Sequence, residues 1–324
     1  MSSHISITVI LCTWNRAELL RVTLESLRGQ LGCESLDIDI IVVDNNSSNA
    51  TQNVVEKAAA DWSLGTLRYA FEPRQGKQFA LNTGIRLAQS SVLAFSDDDV
   101  TFSPNWLRRI AQIFQDERID LVGGKTLVLW PESGQPGWFD SKMSAIVAGV
   151  DIGGERQLDP PPVDYAPAGT NLIARRQLFD RVGLFSESHF RHMDYEFGMR
   201  CRRAGAHVIY DPTLVVHTPV AVEILTKRYF RRWSFKAGIS HTSESNLNLA
   251  TLFGVPRWIY RQIAADVIYL ALHFLQSGEP EFFYRELRIW RHVGTITSCW
   301  LAQLTPRRYA EWVEKRSQKK ANLY

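Results

Sequence analysis

An α/β fold with a mostly parallel sheet flanked by helices is predicted by three observations. Runs of β-branched residues alternate with segments of helical apolar spacing, one run is apolar almost throughout, and polar segments stand where runs end. The first run covers residues 5–11, and the segment 16–31 behind it carries Leu19, Leu20, Leu24 and Leu27 at helical spacing. The unit recurs as a strand over 38–43 with a helix over about 51–60, then as a strand near 67–69 with a helix near 78–88. Successive strand and helix units of this length place helices on both faces of a parallel sheet. Residues 91–95 read as a strand buried on both sides, and that strand runs into Asp97, Asp98 and Asp99. In open α/β sheets ligands bind beyond the carboxyl ends of the strands, so CTWNR, DNNSS and SDDDV should converge on one crevice.

Beyond the acids, a helix near 106–115 and a strand over 123–130 precede an irregular stretch, 131–167. Its length, its glycines and the run Pro160-Pro161-Pro162 point to an acceptor-side loop or lid. Regular structure resumes at TNLIARRQLFDRVG, followed by a helix around 195–204 and a strand over 208–217. The chain is therefore expected to divide into a catalytic domain, 1–222, and a helical, aromatic and basic C-terminal region, 223–324, which holds five of the ten tryptophans.

Composition bounds the function classes. With 45% hydrophobic and 22% charged residues the chain is an ordinary globular one, and a net charge of +3 is too small for tracking phosphates, so no nucleic-acid partner is expected. Cys12, Cys33, Cys201 and Cys299 lie far apart, as reduced thiols of a cytoplasmic protein would. The short apolar run at the N-terminus reads as a strand rather than a leader. The longest later one, 263–275, contains Asp266 and His273 and falls short of the roughly 20 residues that span a bilayer. From Arg307 to Lys320, six Lys and Arg stand against Glu311 and Glu314. Together with the tryptophans this points to peripheral docking on an anionic membrane surface, on the cytoplasmic face; a helical cap packed on the catalytic domain would leave the same pattern.

The acids are the sharpest local signal. Two carboxylates about 4 Å apart repel by about 4 kcal/mol at an effective dielectric near 20, so the triplet calls for solvent or a cation. A divalent ion shared with a diphosphate would serve, and so would a solvated turn or helix cap. Asp194 and Glu196 precede a segment bearing Arg200, Arg202 and Arg203. Either carboxylate could act as general base toward an attacking hydroxyl, while ordinary capping with a Glu196–Arg200 pair accounts for both equally well. His217, closing the strand TLVVH, could give a lone pair to a metal or simply pack. Lys77 follows Gly76, a placement that lets an ammonium approach phosphate.

The order and spacing of six segments resemble the family 2 glycosyltransferases, whose A-type glycosyltransferase fold is Rossmann-like: ITVILCTWNR, IIVVDNNSS, EPRQGKQFALNTGI, VLAFSDDDV, AGTNLIARRQLFDRVGLF, and MDYEFGMRCRRAG with DPTLVVH. They cover residues 5–217. The resemblance implies that Thr13, Asn15, Arg16 and Asp44 line the nucleotide pocket, with Gly76, Lys77 and Asn82 beside it. Asp97 and Asp99 match the ends of the family's acid-x-acid motif, Asp99 being the better metal ligand and Asp97 or Asp98 lying nearer the ribose, and His217 would complete a site for Mn²⁺ or Mg²⁺. Asp194 matches the family's catalytic aspartate, with Glu196 the competing base. Two departures stand out: Met193 replaces a glutamate, and Asn45 stands where many members have a second aspartate.

The same resemblance implies an inverting transfer from a nucleotide-diphosphate sugar to a glycan or lipid-linked acceptor, in cell-surface polysaccharide or glycoconjugate synthesis. A sugar nucleotidyltransferase would open with a glycine-rich, basic phosphate loop, which CTWNR is not. An inactive sugar-binding subunit would have no need of Asp97, Asp99, Asp194 and His217.

Overall fold

The computed structural model describes residues 5–154, 157–187, 192–240 and 250–305. The chain forms two compact units: the first joins the chain up to Leu127 with Gly149–Pro219, and the second joins Val128–Ala148 with the chain from Val220 onward.

In the first unit the expected alternation is present as β1 (Ser6–Thr13), α1 (Ala17–Arg28), β2 (Asp37–Asp44), α2 (Thr51–Ala60), β3 (Thr66–Phe71), α3 (Lys77–Leu87) and β4 (Val92–Asp97). These four strands lie in the order β3-β2-β1-β4, all parallel. Their register decides where the site can be. Thr13 stands opposite Asp44 and Cys12 opposite Asp97, so β1, β2 and β4 end level with one another and their loops leave the sheet side by side.

The rest of the sheet comes from β5 (Thr101–Phe102), β6 (Leu121–Leu129), β7 (Leu172–Arg175) and β8 (Val208–Pro219), interleaved with α4 (Trp106–Ile113), α5 (Arg176–Val182) and α6 (Met193–Arg203). The full order is β3-β2-β1-β4-β7-β6-β8-β5. Here the pairing turns antiparallel: β7 against both β4 and β6, and β5 against β8, with Thr101 opposite His217.

Both faces of the sheet are buried, as the alternation along β1 requires. Ile7, Val9 and Leu11 join Leu20, Leu24, Trp106 and Ile110 on one side. On the other, Ile10 and Cys12 join Phe95, Phe179, Phe197 and Tyr210. Helix α3 can lie this close to the sheet because of Gly84, where a Cβ would come within 2.5 Å of Ile10 Cγ2.

The second unit contains α7 (Lys227–Ser240), the short pair β9 (Thr251–Leu252) and β10 (Val255–Pro256), α8 (Arg257–Leu272) and α9 (Pro280–Leu304). Part of the irregular stretch read from sequence as an acceptor-side loop packs here. Phe139, Met143, Ile146 and Val147 form a core with Phe230, Phe283 and Leu287, and Trp138 sets its edge against both phenylalanine rings at 5.0 and 5.1 Å. So apolar a segment would be costly to leave in water, and the helices offer it partners. Among the described residues no helix is long and apolar enough to cross a membrane, and the basic run Arg307 to Lys320 lies outside them. All four cysteines are free and buried.

Candidate active site

The loops at the strand ends are tied to one another. After β1 the chain turns through Asn15 in the left-handed region at φ 54°, a conformation that asparagine tolerates better than most residues. Its backbone N–H donates to Ser47 Oγ at 2.8 Å, and its Oδ1 accepts from the Ser48 N–H at 2.8 Å. Thr13, just before this turn, is buried. Asp44, buried at the end of β2, accepts from the Ser47 N–H and from the Tyr69 hydroxyl, both at 2.9 Å.

Asn45, a departure from the family pattern in the sequence, has a structural task that the sequence did not show. Its Nδ2 donates to the Arg74 carbonyl at 2.6 Å while its Oδ1 accepts from the Gly76 N–H at 2.7 Å, so one buried amide fixes the loop after β3. That loop has a second clamp. The Glu72 carboxylate accepts from the Arg74 guanidinium at 2.9 and 3.0 Å, from the Arg74 N–H at 2.9 Å and from the Thr83 hydroxyl at 2.6 Å. Arg74 thereby holds Glu72 down at about 2, against the opposing effect of burial. Gly76, at φ 142°, directly precedes α3, which starts with Lys77.

Lys77 pairs with Asp97, and Arg16 Nη1 reaches Asp98 Oδ1 at 3.3 Å and Asp99 Oδ2 at 2.9 Å. Three carboxylates thus share two cations. Burial opposes the charge on Lys77, yet Asp97 keeps its ammonium above the ordinary lysine range. Burial raises Asp98, and it raises Asp99 to about 6 with the charges of Asp97 and Asp98 adding to the effect. Thr23, on α1, places its hydroxyl 2.9 Å from the carbonyls of both Asp98 and Val100, bracing the backbone of the acid turn. Beneath it, burial pushes the Cys12 thiol up to about 12, which leaves it inert as a nucleophile.

Asp97, Asp99 and His217 were the expected metal ligands. The β5–β8 register sets His217 opposite Thr101, two residues beyond Asp99. Among the described residues no three His, Cys, Asp or Glu side chains form a metal shell by themselves. The donor set still fits Mn²⁺ or Mg²⁺ in kind: hard carboxylates, an imidazole, and neighbouring negative charge that adds to the effect of burial in raising Asp99. Phosphate oxygens of a nucleotide would have to complete the coordination.

The two candidate bases separate clearly. Glu196 is buried and gripped by Arg200 at 2.7 and 2.9 Å, and the same guanidinium donates to the carbonyls of Val182 and Leu184. Asp194 is half-buried in the first turn of α6. Its Oδ2 accepts from the Gly169 N–H at 2.8 Å and its Oδ1 from the Tyr195 N–H at 3.0 Å, and it makes no ion pair among the described residues. Its charge nonetheless acts on Lys77. Asn82 stands apart from the other expected nucleotide contacts: its amide is engaged on both sides by Phe185, donating to the carbonyl at 2.9 Å and accepting from the N–H at 3.0 Å.

The sequence model of glycosyl transferase family 2 matches residues 8–183. Pre-mycofactocin glycosyltransferase of Mycobacterium tuberculosis is 28% identical over 219 residues, which are 66% of this chain and 43% of that protein, so the chain spans less than half the length of this relative. Glycosyltransferase AglE of Haloferax volcanii is 30% identical over 255 residues, covering 78% of this chain and 79% of AglE. Among solved structures, the mannosyltransferase PcManGT from Pyrobaculum calidifontis, in complex with GDP-Man and Mn²⁺, shares the fold with a TM-score of 0.62 at 17% identity, over 91% of this chain and 87% of its own.

Proposed function

Because this chain belongs to glycosyl transferase family 2, we propose that it transfers a sugar from a nucleotide diphosphate to a hydroxyl of a glycan or lipid-linked acceptor, with inversion at the anomeric carbon. The observation that carries the reading is the contrast at α6: among the described residues Asp194 is oriented by backbone N–H groups alone, whereas Glu196 is bound to Arg200.

In this reading Asp194 takes the proton of the acceptor hydroxyl, the acceptor oxygen attacks the anomeric carbon, and the bond to the diphosphate breaks on the opposite side. Thr13, Asn15, Arg16, Asp44, Gly76 and Lys77 bind and orient the nucleotide half of the donor. Asp97, Asp99 and His217 would hold Mn²⁺ or Mg²⁺, which when bound neutralises charge on the departing diphosphate. Lys77, charged and beside Asp97, keeps a cation at the same strand ends. No covalent intermediate is needed.

The test separates base from scaffold. Asn has nearly the size of Asp but takes up no proton at neutral pH, so Asp194→Asn should bind donor as the wild type does and transfer roughly 10²- to 10⁴-fold more slowly. Glu196→Gln should lower stability more than turnover. Near-normal transfer by Asp194→Asn, with Glu196→Gln inactive, would reverse the two roles.

The reading extends to the location of the enzyme. In the second unit Phe253, Trp258, Trp290, Trp300 and Leu304 are exposed, Phe253 at 77% and Leu304 at 78%, and the basic run begins three residues after Leu304. Exposed aromatic side chains in a chain segment that runs on into clustered Lys and Arg suit the headgroup region of an anionic bilayer. Free thiols fit its cytoplasmic side.

A further inference from the structure

We propose that Arg16 is a displaceable counter-cation: it holds Asp98 and Asp99 in the free enzyme and moves to the donor diphosphate when a divalent ion binds the acids, so that nucleotide and metal bind cooperatively. This rests on the metal-dependent mechanism proposed for the site and deepens it by giving one of its residues a regulatory task.

The geometry separates what is fixed from what can move. Asn15 is pinned through its backbone N–H by Ser47 and through its side chain by Ser48, and Arg16 directly precedes the first turn of α1. Its side chain, in contrast, is 43% exposed and touches the acids through a single nitrogen, at 2.9 and 3.3 Å. Only side-chain torsions have to change for Arg16 to leave. The acid turn does not depend on it for shape, because Thr23 braces the carbonyls of Asp98 and Val100 from the same helix.

Charge then sets the order of events. A divalent ion arriving alone must compete with a guanidinium already seated on Asp99, and the released guanidinium would be left facing the ion. With a diphosphate present, Arg16 instead regains oxygen acceptors, of the kind that a guanidinium can take in pairs. Metal binding without nucleotide is therefore disfavoured by Arg16, and metal binding with nucleotide is not. Linkage makes the effect reciprocal: each ligand strengthens the other by the same factor.

The experiment measures metal binding and needs no turnover. MnCl₂ is titrated into the wild type, Arg16→Gln and Asp99→Ala, alone and with UDP or GDP, following free Mn²⁺ by its paramagnetic resonance signal. Arg16→Gln should bind Mn²⁺ alone about fivefold more tightly than the wild type, the scale of a partly exposed ion pair, and the gain from nucleotide should shrink by a similar factor. Asp99→Ala should lose both. If Arg16→Gln binds Mn²⁺ alone no more tightly than the wild type, Arg16 is not a competitor and the proposal falls. If the wild type takes up no Mn²⁺ with either nucleotide, the metal-dependent mechanism itself fails, and this proposal fails with it.

Discussion

Asn45→Asp is a change of one atom that should cost the first unit about 2–3 kcal/mol. Asn45 is 4% exposed, and both ends of its amide are used: Nδ2 on the Arg74 carbonyl at 2.6 Å and Oδ1 on the Gly76 N–H at 2.7 Å. A carboxylate keeps the acceptor but has no donor. The Arg74 carbonyl would lose its partner and face a negative oxygen, and an orphaned buried polar group costs about 1–3 kcal/mol. Desolvation of the new charge adds to this, while a stronger, charge-assisted bond from Gly76 returns about 1 kcal/mol. The assay is urea unfolding at pH 7.5 together with hydrogen exchange at the Gly76 amide. The midpoint should fall at unchanged slope, and Gly76 should lose protection first. A variant that unfolds at the wild-type midpoint with Gly76 still protected would show that the loop is held by something else. In the proposed reading the same position would bear on donor binding as well, because Gly76 and Lys77 are carried by the loop that Asn45 fixes.

Two further outcomes rest on charge. Arg74 lowers Glu72 from 4.5 to about 2 in the fold, so the clamp contributes fully above about pH 4.5 and is lost as pH falls toward 2; Glu72→Gln should flatten the stability profile across that window, and a variant retaining the wild-type slope there would exclude Glu72 as its source. For the second unit, flotation with vesicles rich in phosphatidylserine should carry the protein, and neutral vesicles should carry much less, with 0.5 M salt weakening the difference. Equal recovery in the soluble fraction with both lipids would refute membrane contact.

How much of the structure was legible in the sequence depends on the distance over which each interaction acts. The parallel half of the sheet was readable because each βα unit declares itself within about 30 residues. Its antiparallel half was not, since β7 inserts between β4 and β6 by pairings with residues tens of positions away, such as Phe95 with Leu172. The stretch 128–148 showed its apolar character openly in Trp130, Trp138 and Phe139, but nothing local could say that Phe230 and Phe283 would receive it. At the site, Asp97, Asp98 and Asp99 were visible as a local cluster, and the pairing of Glu196 with Arg200 was visible at helical spacing. Thr23 and the Glu72–Arg74–Thr83 clamp were not, and Asn45 showed only as a departure from the family pattern without its partners, because a single Thr, Asn or Glu does not reveal its partner until the strand register brings it alongside.

The links between the strand-end loops, taken in the order of the sheet, form a closed ring. Asn45 ties the loop of β2 to that of β3, Asn15 and the serines tie β1 to β2, Arg16 ties β1 to β4, and Lys77 returns from the β3 loop to β4. The first two ties are neutral amide and hydroxyl bonds between groups of fixed complementarity. The other two are ionic, and both end on the acid turn. An incoming metal and diphosphate can exchange partners with an ion pair, since they offer the same charges, but they offer nothing that replaces the hydrogen bond between a backbone N–H and the Asn45 side chain. The ring is therefore rigid where a nucleoside would be read and exchangeable where phosphate and metal would enter. That division requires ionic groups at Arg16 and Lys77 and excludes them at Asn45, so a charge placed at position 45 should damage the fold while a charge removed at position 16 should leave the fold intact and alter how metal and nucleotide bind.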